Sequence, residues 1–147
     1  MSIESAESSI SYNRMQIVQH LERIQKLRND IDKLMSLEEE YRKLKRRFQE
    51  HNEESVSVIE NIILIGNPLK AVNSYGEGMK NFLTGSQYHQ VLEEFDDARR
   101  VVTGKVIELE NEIRTLESAV GSCEEQIRRS QAEILQIKAR EAKENGI

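Results

Sequence analysis

The sequence has no tryptophan, one cysteine (Cys123), one proline (Pro68) and only 5% aromatic residues. Each shortage excludes something. A lone cysteine excludes an internal disulfide, and Cys123, set in a helical repeat with no histidine near it in sequence, is expected to be a small seam residue and not a nucleophile. The longest uninterrupted aliphatic run, Ile62 to Ile65, is far short of the roughly 20 residues of a spanning helix, so no membrane insertion is expected. The start, MSIESAESSIS, has neither a basic opening nor an apolar core. The general secretory route is therefore not expected, and the cytoplasm is the expected location. A formal net charge of −5 argues against nucleic acid or an anionic membrane as the main partner.

What is present is helical pattern. With 147 residues, 32% of them charged, the chain reads as a single all-α domain. Four of its seven glycines (Gly66, Gly76, Gly78, Gly85) and Pro68 gather in GNPLKAVNSYGEGMKNFLTGS, which predicts a glycine-rich turn region over 66–85. It separates a first long helix, 10–65, from a second, 86–142. The expected fold is an elongated antiparallel helical hairpin with a coiled-coil-like seam.

In the first arm Ser8, Ser9 and Ser11 are placed to cap. Ile17, Leu21, Ile24, Leu27, Ile31, Leu34, Leu37, Tyr41, Leu44 and Phe48 then recur at helical steps. Val56 to Ile65 is apolar on more than one side. A strand competes for it, but no second strand-like run exists to pair with it, so it is read as helix. The second arm, with Thr84 or Ser86 as cap, sets Val106, Ile113, Val120, Ile127 and Ile134 at heptad a. Val102, Leu109, Leu116, Cys123, Ser130 and Ile137 fall at d, Ser130 being the one polar interruption. The expected seam joins Leu34, Tyr41, Leu44 and Phe48 to the stripe from Val102 to Ile127. Gly104 and Gly121 mark candidate sites of close backbone approach. Folding at the middle of the glycine stretch would set Arg42, Lys43, Lys45, Arg46 and Arg47 against Glu108, Glu110 and Glu112. That favours the intrachain hairpin over a parallel homodimer, which stays the open alternative.

The chemical constellations are thin. His20, His51 and His89 are far apart, and none follows a Glu three residues earlier, so the Glu-x-x-His motif of di-iron bundles is absent. His89 with Glu93, Glu38 with Arg42 and Glu39 with Lys43 all read as solvated i,i+4 pairs. Gly76-Glu77-Gly78 lacks the glycine, lysine and helix of a phosphate loop. No catalytic, cofactor-binding or metal-ligating residue is expected, and therefore no cofactor and no enzyme.

One stretch carries a resemblance. In FLTGSQYHQVLEEFDDAR, Phe82 to Arg99, Leu83-Thr84-Gly85-Ser86 followed by a charged helix is similar to the WTGT-type turn of the YwqH-like helper proteins of LXG-domain toxins. These belong to the WXG/ESAT-like superfamily of type VII secretion in Gram-positive bacteria. Leu83 stands where that family has tryptophan, Gly85 at its turn glycine, and Phe82 is a neighbouring aromatic. The resemblance implies a helical hairpin that binds the helical amino-terminal domain of an LXG toxin, alone or with a second small helical helper, and helps deliver it to the secretion machine, either staying in the cytoplasm or being co-exported without a signal peptide. The expected contacts are Ile59, Ile62, Ile63, Ile65, Leu69, Val72, Met79, Phe82, Leu83 and Gly85. The competing class is a coiled-coil adaptor or scaffold subunit that self-associates through Val102 to Ile137.

Overall fold

The computed structural model describes residues 2–66 and 70–146, apart from the side chain of Val72. The chain is an all-α helical hairpin of three helices: α1 (Ile3–Gly66), α2 (Lys70–Thr84) and α3 (Ser86–Asn145). No strand occurs among the described residues, so Val56 to Ile65 is the last stretch of α1. The helix begins seven residues earlier than the expected 10–65, because Ser2 caps it: its Oγ accepts from the Ser5 N–H at 3.0 Å. Ser8, Ser9 and Ser11 lie inside the helix.

Two compact units divide the chain. The first joins residues 1–32 to 107–147. Here Ile3, Ile10, Ile17, Ile24 and Ile31 turn inward at steps of seven, with Ala6 and Leu27 between them. Leu27 is 1% exposed, and Leu109 and Ile113 are buried against this face. Every seam position read for this part of α3, from Leu109 to Ile137, is buried or half-buried. Ser130, the polar interruption, donates its hydroxyl to Ser9 Oγ at 3.3 Å, and Asn13 Nδ2 donates to the Ser9 carbonyl at 2.8 Å. Both buried polar side chains are thus satisfied, as burial requires. Arg23–Glu112 (3.1 Å) and Arg28–Glu117 (3.2 Å) flank the seam. Being exposed, such pairs orient more than they stabilise.

The second unit, residues 33–106, holds α2 and the adjoining parts of α1 and α3. Its α1 seam runs Leu34, Glu38, Tyr41, Lys45, Phe48, Asn52, Ser55, Ile59, alternating steps of four and three. Facing it are Tyr88, Leu92, Phe95, Arg99, Val102 and Val106. The seam therefore contains charge. Glu38 receives Arg99 at 2.9 Å and Arg42 at 3.2 Å, and Lys45 meets Asp96 at 2.8 Å. An aromatic layer follows, Phe48 stacking on Tyr88 with centroids 5.6 Å apart and leaning on Phe95 at 6.1 Å.

Several expectations are corrected. Leu21, Leu37 and Leu44 are exposed, since the true seam passes through polar residues one position away from Leu37 and Leu44. The region 66–85 is not an extended turn, because α2 fills most of it. The chain has already turned back before α2, so Lys45 meets Asp96, and Glu112 meets Arg23 and not the basic run. A side chain at Gly104 or Gly121 would meet nothing within 4 Å, so neither marks a close approach. Leu27→Ala should lower stability by about 2–4 kcal/mol. Leu37→Ala should cost under about 1 kcal/mol, as exposed positions do. Circular-dichroism melts of the two variants check this, and equal losses would contradict the register.

Candidate partner-binding surface

Glycines and one asparagine build this end of the second unit. Gly76 is buried where α2 recrosses α1: a Cβ there would overlap the Ile63 side chain. Small size, and not a left-handed backbone, is what this position needs, since no glycine among the described residues has positive φ. Glu60 and Lys80 pair at 3.2 Å, and Asn52 Nδ2 donates to the Leu83 carbonyl at 3.0 Å. That bond satisfies one of the carbonyls α2 leaves open at its end. Thr84 does not cap α3, because its hydroxyl donates to the Lys80 carbonyl at 2.8 Å. Gly85 is the bend between α2 and α3. A Cβ there would stand 2.6 Å from the Asn81 carbonyl oxygen, so the bend requires glycine, and His89 N–H donates to its carbonyl at 3.3 Å to open α3.

The expected contact residues divide. Ile65 (82% exposed), Phe82 (61%), Ile62 and Met79 are open to solvent, while Ile59 is buried. Ile63 is half-buried over Gly76, and Leu83 and Gly85 are half-buried at the bend. Leu69 and the side chain of Val72 lie outside the described residues. The structure adds Leu64 (76%), Tyr75 (72%) and Val58 to the exposed set. Tyr75 is one of two aromatics, with Phe82, inside the glycine stretch, but helix α2 is needed to place it. Scattered apolar exposure is ordinary, and the density on this short helix and its neighbour makes them the candidate surface.

Beside it lies a hollow of about 280 Å³ whose walls include Phe48, His51, Asn52, Leu83, Tyr88 and Val91. The seam charges do not line it, but two of them are held by their partners. The hydrogen bond from Arg99 holds the Glu38 carboxyl below the usual carboxylate range, and the bond from Lys45 does the same for Asp96. The Ser55 hydroxyl donates to the His51 carbonyl at 3.0 Å and not to an imidazole. The His89 ring rests on Tyr88, centroids 5.4 Å apart. Among the described residues no three His, Cys, Asp or Glu side chains converge as a metal site, and no helix is long and apolar enough to cross a membrane. Compared with protein-family models, curated proteins and solved structures, the chain gives no significant match.

Carboxyls titrating low in the folded chain stabilise it fully above the ordinary carboxylate range. That contribution is lost as pH falls through their folded values. The melting midpoint should therefore drop below about pH 5. Glu38→Gln should lower the midpoint at pH 7 and make the acid decline shallower, which melts at a series of pH values would show. A decline as steep as in the unsubstituted chain would contradict the role of Glu38.

Proposed function

We propose that this chain is a non-enzymatic helper that binds the helical amino-terminal domain of an LXG-type toxin and assists its type VII secretion. The observation that carries the reading is the dense exposed apolar set around α2: Leu64, Ile65, Tyr75, Met79 and Phe82. A free-standing hairpin needs none of these residues for its own seam. Support also comes from the Leu83-Thr84-Gly85-Ser86 motif, whose glycine stands at the bend between α2 and α3. Docking of an apolar helix face on such a surface is the expected mode. The self-associating adaptor is less favoured, because the α3 stripe it would use is packed on α1 within each unit.

Co-purification with an LXG-domain protein encoded beside this chain tests the proposal. The unsubstituted chain should be retained. Ile65→Ser with Phe82→Ala should weaken retention by tenfold or more, in keeping with about 2 kcal/mol for a central aromatic contact, while helicity is unchanged. Absence of retention with every such neighbour would contradict the helper reading. Loss of helicity in the variant would show that these residues serve the fold.

A further inference from the structure

The chain's charge is not spread evenly. Residues 48–95 carry seven carboxylates (Glu50, Glu53, Glu54, Glu60, Glu77, Glu93, Glu94) and two lysines (Lys70, Lys80), the whole of the net charge of −5. The remaining residues balance. All seven carboxylate residues are exposed. Among the described residues only Glu60 of the seven has an ion-pair partner, Lys80. Elsewhere in the second unit acids are neutralised in place, as at Glu38, Glu39, Glu40, Asp96 and Asp97. Unpaired like charge destabilises the compact state through self-repulsion, which an opposite charge brought to it relieves.

That surface continues as a groove. The hollow at Phe48 and Tyr88 shares His51 and Ser55 with a second one reaching Val58, Ile59 and Glu54. It shares Val91 with a third bounded by Tyr41, Phe95 and Glu94. Along α1 the three extend from Tyr41 to Ile59, which at helical rise is about 27 Å, or five turns. The lining is largely aromatic and aliphatic, and each outer hollow has one carboxylate in its wall, Glu54 and Glu94. The dimensions match a helix laid lengthwise, with apolar anchors at i, i+3, i+4 and i+7.

Resting on the reading of this end as a helix-binding surface, we infer that the groove from Tyr41 to Ile59 takes a basic amphipathic helix of the partner. Its apolar face covers Phe48, Tyr88 and Val91, and its lysines or arginines meet Glu54 and Glu94. A second copy of this chain docking by the same residues is a poor occupant, since it would bring the same excess of carboxylates. An anionic lipid surface is repelled for the same reason.

The test uses the full chain and two synthetic 18-residue helical peptides with one leucine face, the other face being lysine in one and glutamate in the other. Binding is followed by isotope-edited NMR and by titration at low and high salt. The lysine peptide should bind, weaken as salt rises, and shift the resonances of Phe48, Tyr88 and Val91. Glu54→Gln with Glu94→Gln should weaken it about fivefold, as two rim charges of under 1 kcal/mol each would. Glu4→Gln with Glu7→Gln, in the first unit, should leave it unchanged. The inference is overturned if the lysine peptide does not bind, if the glutamate peptide binds equally, if the shifts lie outside the groove, or if both double variants behave alike. Should the peptide fail while Ile65→Ser with Phe82→Ala still releases the toxin, the helper reading stands and only the groove's basic occupant is lost. Should the peptide bind while no toxin is retained, the reverse holds.

Discussion

The close approach of Ile63 to Gly76 is the constraint on which the second unit depends. Only a residue without a Cβ lets the Ile63 side chain lie against α2 this closely, and this contact is consistent with one set of pairings farther along. These are Glu60 with Lys80, Asn52 with Leu83, Phe48 with Tyr88, Lys45 with Asp96 and Glu38 with Arg99. Each pair is compatible with one register. A shift by a heptad would leave Glu38 and Lys45 in an apolar seam without partners, and an unpaired charge there costs more than the pair gains. The polar seam residues thus act as a selector of register, the best-attested use of buried polarity in coiled coils.

How much of this was legible in the sequence depends on the arm. The α3 register could be read directly, because every a and d position from Val102 to Ile137 except Ser130 is apolar. The α1 register was harder. Glu38, Lys45 and Asn52 occupy seam positions while Leu37 and Leu44 stand beside two of them, so following the leucines draws the stripe one residue away from the true one. The isoleucines at 3, 10, 17, 24 and 31 carried the right period, but their spacing is diluted by Val18 and Leu21 on the outer faces. Pattern reading counts apolar residues, and this seam is held partly by ion pairs that only a facing helix identifies.

The glycine stretch departs from its expected turn for a related reason. Four glycines and a proline argue for a break, and propensity puts each helical glycine at about 1 kcal/mol below alanine. Two of them are instead required by packing. Gly76 makes room for Ile63, and Gly85 makes room for the Asn81 carbonyl. At Gly76 tertiary contact with Ile63 offsets the propensity loss within α2, whereas Gly85 is the bend that ends it. That helix then presents Tyr75, Met79 and Phe82, so the same glycines that disguise the fold create the surface on which the functional proposal rests. The acidic character of this end, invisible in a whole-chain charge of −5, appears once residues 48–95 are seen as one structural neighbourhood.

The return of α2 onto α1 is open to direct measurement. In a Cys123→Ser background, Ile63→Cys with Gly76→Cys would place two thiols on adjoining backbones. A Cβ at position 76 stands 3.8 Å from that of residue 63, which is the usual disulfide spacing. The account predicts rapid, concentration-independent formation of an intrachain disulfide under mild oxidation, and much slower closure when Asn73→Cys replaces Gly76→Cys. Equal rates for the two pairs, or crosslinked dimers in place of a closed monomer, would contradict it.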